Sequence, residues 1–287
     1  MLSADFMRDF SDDFEVFNLG SGVNSEFNEY NPVMSHDGTY MLYTSRSDTS
    51  TGKKLDGDDG QFREDINLAR LNEGRFNQDG INGHPLETFV SNVNTDKHEA
   101  PVYISKNEET IILFKDNDLW FTTKEGNAFT VPVKYPKSIN FKYYHRHASL
   151  TADGKTMYFT AEVLYKKLNK FHFDLYKTQL DNNGQWSKPE ALPNAVNSLY
   201  NEDSPEISAD GKTLFFSSNR AGGYGGYDIY YFKMGADDST IYRLDEPINS
   251  PANDIYFKML PDSSAVFLSS NRLKGYGGMN IYKVAFY

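Results

Sequence analysis

Between Ser204 and Phe232 the chain alternates short strand-like runs with turn residues. A first run ends at Ser208 and Asp210-Gly211 reverses the chain. An apolar run then covers Thr213–Ser218, and Ala221-Gly222-Gly223-Tyr224-Gly225-Gly226 leads to a third run at Tyr227–Phe232. β-Branched and aromatic residues suit a pleated strand. Asp-Gly between two such runs marks a hairpin, because the turn needs a positive φ that Gly adopts without steric cost. The stretch predicts three strands.

The same module returns in weaker copies. A Val/Ile-Asn pair precedes each one, at Val23-Asn24, Val93-Asn94, Ile139-Asn140, Val196-Asn197 and Ile248-Asn249, with spacings of 70, 46, 57 and 52 residues. Counting the wrap through the termini, the mean is about 57 residues per unit, so five units account for the 287 residues. Unit one has Pro32 to Gly38, strand Tyr40–Ser45 and Arg46, then a polar insertion from Ser47 to Glu64 before a strand at Asp65–Arg70. In unit two, Lys106-Asn107-Glu108-Glu109 replaces the Asp-Gly turn and the second loop shrinks to Asp116-Asn117. Unit three restores Asp153-Gly154, with strands Met157–Ala161 and Phe173–Thr178. Unit five has Leu260-Pro261-Asp262-Ser263, Ala265–Ser270, Asn271-Arg272, Gly275-Tyr276-Gly277-Gly278 and Asn280–Phe286. Fourth strands are expected near Ala128–Val133, Trp186–Leu192 and Ile241–Leu244.

Unit five runs out of chain after its third strand, while Phe14–Gly20 is a strand without a partner ahead of unit one. Letting that N-terminal strand complete the last sheet closes a ring and removes exposed sheet edges. The expected fold is therefore all-β: a five-bladed β-propeller of four-stranded blades, closed by a strand exchange between the termini. It is read as one domain over 1–287, with blades near 25–90, 94–136, 140–193, 197–245 and 249–287 plus 12–20. An open β-sandwich would leave the N-terminal strand unexplained.

Composition narrows the function. Aromatic residues are 15% of the chain and mostly Tyr and Phe, in keeping with strands. Twenty-nine basic against 40 acidic residues give a net charge of −11, which argues against a nucleic-acid partner. No cysteine is present, so neither disulfides nor thiol chemistry enter. No apolar run is long enough for a membrane span, and Met1–Phe10 lacks a signal-peptide core, so a start trimmed from a longer gene product is expected.

Ser204–Arg220 and Pro32–Arg46 follow the pattern Ser-Pro-x-x-Ser-x-Asp-Gly-Lys-x-Leu-x-Phe-x-Ser-x-Arg almost throughout, and Ser149–Ala161 follows it less well. This resembles the WD-like propeller repeat of TolB and many bacterial envelope proteins. Pro247-Ile248-Asn249-Ser250 with Ser269-Ser270-Asn271-Arg272, Gly275-Tyr276-Gly277-Gly278 and Ile281-Tyr282 looks like the propeller of Bacteroidota OmpA-family lipoproteins, PorE-like components of type IX secretion among them. The resemblance covers the whole chain weakly and units four and five strongly. It implies a scaffold in the periplasm, associated with the outer membrane. Its partners would be envelope proteins of a larger complex, with peptidoglycan reached through a domain that this chain does not contain.

If the first strand of each blade runs down from a top face, the Asp-Gly turns lie at the bottom, and the Gly-rich loops and Asn connectors lie on top. Loops of that kind carry binding. Three residues before the Pro position stand Glu29, His98, His145, Glu202 and Asp254, a ring of acids and imidazoles expected around the channel mouth. Such groups can ligate metal or transfer protons. Yet Glu29, Glu202 and Asp254 coincide with Arg46, Arg220 and Arg272 at the ends of second strands, whereas the His-bearing units lack that Arg. Acid and Arg travel together, as a structural ion pair would. His98 with Glu99, and His145 with Arg146 and His147, depart from this pattern and are the binding candidates.

A glycoside hydrolase of this fold would need two opposed carboxylates, one of them protonated, and a carboxylate held by Arg stays ionised. Sugar binding or hydrolysis is thus the alternative to a non-catalytic interaction module. There is no nucleophile elbow or phosphate-cradling loop. Tyr224 and Tyr276 serve either as exposed aromatic contacts or as packing. Lys53–Gly60 lacks the calcium-loop order, with Gly sixth and Glu twelfth, and reads as a solvated mobile loop. No metal or cofactor is expected. Phe141, Tyr143, Tyr144, Tyr165, Phe171 and His172 either line a sugar or peptide groove or cover the core of blade three.

Overall fold

The structure, a computed structural model, describes residues 14–78, 83–141, 144–166, 169–235, 240–260 and 264–286. Met1–Phe10, Tyr143 and the Pro261–Ser263 turn lie outside them. Strand β1 (Phe14–Asn18) opens the described chain. Blade one follows as β2 (Glu29–Met34), β3 (Tyr40–Ser45), β4 (Asp65–Asn72) and β5 (Arg75–Asn77). Helix α1 (Pro85–Val93) leads to blade two, β6 (Glu99–Ile104), β7 (Thr110–Lys115), β8 (Asp118–Glu125), β9 (Ala128–Phe129) and β10 (Val133–Lys134). Blade three is β11 (His145–Leu150), β12 (Thr156–Tyr165), β13 (Lys170–Gln179) and β14 (Glu190–Ala191). Blade four is β15 (Glu202–Ile207), β16 (Thr213–Ser218), β17 (Asp228–Lys233) and β18 (Ile241–Arg243); β19 (Asp254–Met259), β20 (Ala265–Ser270) and β21 (Asn280–Phe286) begin blade five.

Each blade is an antiparallel meander, and β1 pairs antiparallel with β21, from Phe14 opposite Phe286 to Asn18 opposite Tyr282, as the fourth strand of blade five. The first strands touch in a closed circuit, β2 to β6 to β11 to β15 to β19 and back to β2. The protein is a five-bladed propeller.

Apolar side chains gather in five cores, one between each pair of neighbouring blades. In β16, Leu214 and Phe216 enter the core shared with blade three while Phe215 enters the core shared with blade five. A strand buried on both faces reads as a continuous apolar run rather than an alternating one. That is why Thr213–Ser218 and Ala265–Ser270 are so uniform, and every residue in both is buried.

The Val/Ile-Asn marker is a clamp. Asn24, Asn94, Asn140, Asn197 and Asn249 each accept from the N–H of Ile281, Ile66, Leu119, Leu175 and Ile229 in turn. Each side-chain amide also donates to that same residue's carbonyl. One amide thus supplies a missing rung on the third strand of the preceding blade, and Asn24 does so across the ring closure. In the Ser-x-Asp-Gly turn, Ser208 Oγ donates to Asp210 and accepts from Thr213 N–H, and Gly211 has φ +72°. Blade two keeps the geometry without Gly by placing Glu108 at φ 56°.

Two elements escape the strand pattern. Strand β5 is a short fourth strand. Helix α1, capped by His84 accepting from Leu86 N–H and started by Pro85, buries Leu86, Phe89 and Val93 at helical spacing. With the insertion, they account for the 70-residue first spacing. The fourth strand of blade two is β10, beyond β9, which also pairs with β8.

Candidate functional site

The aligned first-strand residues lie under the top connectors rather than around an open mouth. Glu29, Glu99, His145, Glu202 and Asp254 each begin a first strand and are 0–1% exposed. The blade-two member is thus Glu99, not His98. Every first strand carries a one-residue bulge. At the bulge Asn31, Ser204 and Tyr256 take φ of 54°, 51° and 61°, two residues after the buried acid. Pro32 and Pro205 come one residue later, but Pro101 sits at the bulge itself, so counting back from Pro misplaces blade two by one.

The four acids are held alike. Ser25, Thr95, Ser198 and Ser250, four residues earlier, each donate both backbone N–H and side-chain hydroxyl. Arg220 Nη2 lies 3.1 Å from Glu202 and Arg272 Nη2 2.5 Å from Asp254. In blade two the cation is Lys115, 2.8 Å from Glu99. The expected Glu29–Arg46 pair is not made. Arg46 turns instead to Asp59 at 2.6 Å, Asp56 at 3.7 Å and the Phe62 carbonyl, all in the insertion. Glu29 keeps only Ser25 and Ser45 as neutral donors, and burial pushes its carboxyl above the usual range. Blade three replaces the whole constellation. His145 has Phe141 four residues earlier and Ala161 opposite, and its ring meets Phe141 and Phe159.

The insertion is largely exposed, as expected of a solvated loop, and carries some structure of its own. A 3₁₀ turn at Thr51–Lys53, a Leu55–Phe62 bridge and a Lys54–Asp96 ion pair fix it over blade one. It delivers Glu64 to the axis.

There a network joins all five blades. His98 Nδ1 and Nε2 lie 3.0 Å from Glu64 and 3.2 Å from Asp56, and Tyr30 Oη donates to Glu64. Tyr30 stacks on Tyr256 at 5.4 Å, and His147 meets Tyr256 edge-on at 5.0 Å. His147 Nδ1 and Arg146 Nη2 each lie 2.7 Å from Asp203, and the Arg146 guanidinium rests 3.8 Å above the Phe173 ring.

Environment sets the charges. The hydrogen bond it donates to the Glu64 carboxylate raises the His98 pKa, favouring imidazolium. Burial lowers His147 against the pull of Asp203, so the neutral ring donates Nδ1–H to the carboxylate. Burial would raise Asp203, but Arg146 and then His147 hold it far below the usual carboxylate range. Burial likewise pushes Tyr227 up to about 12 and Tyr256 higher still. Every charge in this network has a partner, and the stacked rings of Tyr30 and Tyr256 lie beside them.

Of the expected binding residues, the structure brings Arg146, His147 and His98 into this network and leaves Glu99 and His145 buried beneath it. Sequence reasoning missed Asp203, Glu64, Tyr30 and Tyr256. For Tyr30, Asp203 and Tyr256 the signal lay in the two positions after each aligned residue, where Tyr30-Asn31, Ala100-Pro101, Arg146-His147, Asp203-Ser204 and Ile255-Tyr256 vary from unit to unit.

Tyr224 and Tyr276 are elsewhere, on the outer rim of the top face. Tyr224 donates to Asp245 at 3.1 Å under the Arg243 guanidinium, and it stays 41% exposed; Tyr276 is 53% exposed and Leu273 93%. The glycines beside them are latches. A Cβ on Gly225 would sit 1.7 Å from the Ala252 carbonyl oxygen, and one on Gly277 2.3 Å from that of Glu26, each in the connector of the next blade. The aromatic set of blade three divides. Phe141 packs on Tyr176, Tyr144 on Phe114, and Tyr165 on His172.

No protein-family profile matches the chain, and no curated protein matches it in sequence. Solved structures do resemble it. A TolB-type protein from Agrobacterium tumefaciens aligns with TM-score 0.47 and 15% identity over 96% of this chain and 98% of its own. TolB from Acinetobacter baumannii aligns at 0.47 and 14%, over 96% of this chain and 64% of its own. The protein of a BT0996–RGII complex aligns at 0.52 and 9%, over 93% of this chain and 89% of its own. At such identities the likeness is one of fold. It is a propeller among propellers.

Proposed function

We propose that the protein is a non-catalytic recognition module of the bacterial cell envelope, periplasmic and outer-membrane associated, that holds partner proteins against its top face. The observation that carries the reading is the outer rim of blades four and five, where Tyr224, Leu273 and Tyr276 stand exposed on loops latched into the neighbouring blade. Exposed apolar and aromatic side chains on a rigid support mark an interaction surface, and Tyr gives contact area at low entropic cost. Against catalysis stand the carboxylates of the first strands. Glu29, Glu202 and Asp254 are buried and hydrogen-bonded within their own blades, so none is presented as an acid–base pair to a substrate in the channel. Placement in the envelope rests on the repeat resemblance of Ser204–Arg220 and Pro247–Tyr282. In that setting, a peptidoglycan-binding domain outside this chain would anchor the propeller in a larger complex, of the type IX secretion kind.

The test is a photo-crosslinking amino acid at Leu273, with Lys155 on the opposite face as control, in intact envelopes. Discrete adducts at Leu273, competed by unlabelled protein and lacking at Lys155, are expected. Matching adducts at both positions, or none at Leu273, would overturn the reading.

A further inference from the structure

Blade three is built differently from the others at its top. The second strands of the other blades end at the partner of the aligned first-strand residue: Ser45, Lys115, Ser218 and Ser270. In blade three β12 continues past Ala161, and Glu162–Tyr165 pair with Lys170–Phe173 in an overhanging hairpin. Beneath it, against the connector running from Ala191 to Leu199, lies a cavity of about 530 Å³. Cavities of roughly 300–1,000 Å³ with a few convergent polar groups are the usual size of small-ligand sites.

The lining defines the ligand. Aromatic rings come from Tyr165, His172 and Tyr176, an amide from Asn194 and a carboxylate from Asp174, while the Asn197 amide is engaged with Leu175 and Leu192. No Lys or Arg is among the described lining residues. The carboxylate lies 3.1 Å from His172 Nε2. A peptide adding as a strand would need an open strand edge. Along β13 that edge is engaged, with Phe173 N–H bonded to Asn201 and Leu175 bonded through both N–H and carbonyl to Asn197. What remains is a mixed wall of ring faces, an amide and a carboxylate suited to a neutral molecule with apolar faces and many hydroxyls.

We propose that the groove under the blade-three hairpin binds a short neutral oligosaccharide, with Tyr165 offering its ring and Asp174 and Asn194 bonding hydroxyls. This site is separate from the rim of blades four and five, so either can fail without the other.

The experiment titrates the whole chain with neutral di- to hexasaccharides of glucose, mannose, galactose and N-acetylglucosamine, read by calorimetry and ligand-observed NMR. Tyr165→Ala and Asp174→Asn are expected to weaken the best ligand about tenfold or more, while Tyr224→Ala binds as the parent does. Thermal midpoints confirm that each variant is folded, and Asn194→Ala supplies a second lining variant should Asp174→Asn unfold. No binding by any sugar, or binding unchanged in both Tyr165→Ala and the folded lining variant, would overturn the proposal.

Discussion

If the Val/Ile-Asn marker is a clamp rather than a linker residue, removing one amide should loosen a blade by a calculable amount. Asn249 is fully buried. Its Oδ1 accepts from Ile229 N–H at 2.7 Å, and its Nδ2 donates to the Ile229 carbonyl at 3.0 Å and the Leu244 carbonyl at 2.6 Å. Asn249→Ala strands one donor and two acceptors. Each buried unsatisfied group costs about 1–3 kcal/mol, so roughly 3–6 kcal/mol is expected once water reaches some of them. An unfolding entropy near 2.1 cal/mol/K per residue gives about 0.6 kcal/mol/K for 287 residues, hence a fall in midpoint of about 5–10 °C. Asn249→Asp is the sharper probe. The carboxylate still accepts from Ile229 N–H but turns a second oxygen towards two carbonyl oxygens, so it should destabilise at least as much as Ala. Differential scanning calorimetry decides. A drop below about 2 °C for Ala, or an Asp variant as stable as the parent, would refute the clamp.

Other expectations follow from the same contacts. A chain lacking β1 leaves the backbone edge of β21 unpaired and should self-associate, seen as dimers or larger species by light scattering. Arg220→Met leaves Glu202 buried without its cation and should cost about 3 kcal/mol in denaturant unfolding. Gly225→Ala must displace the Ala252 carbonyl and should cost about 1–3 kcal/mol, whereas Gly211→Ala meets no neighbour and loses only about 1–2 kcal/mol from its positive φ. Histidines 98 and 147 should act in opposite directions. His98 has a raised pKa, so its contribution is complete below about pH 6.5 and is lost as pH rises through the raised value. Buried His147 has a lowered pKa, so the protein loses stability as pH falls below about 6.5, where the unfolded chain takes up a proton that the folded one refuses. Midpoints against pH for His98→Gln and His147→Gln should therefore diverge from the parent at opposite ends of the range.

The sequence by itself determined the repeat, the strand positions, the Asp-Gly turns and the ring closure. Each of these rests on local chemistry: a turn residue, a strand buried on both faces, an N-terminal strand with no neighbour to pair. It also carried the Glu202–Arg220 and Asp254–Arg272 contacts, because acid and Arg end adjacent strands of one meander. Tertiary structure alone decided the rest. Arg46 left Glu29 because the insertion brought Asp59 and Asp56 closer. Glu99 displaced His98 because a bulge in every first strand separates the buried acid from Pro by a distance that blade two shortens by one residue. The axial network of His98, Glu64, Tyr30, Tyr256, His147, Asp203 and Arg146 gathers side chains that lie up to 226 residues apart in the chain. They meet only where five innermost strands converge, and no periodicity along one strand can announce which residues the other four will bring.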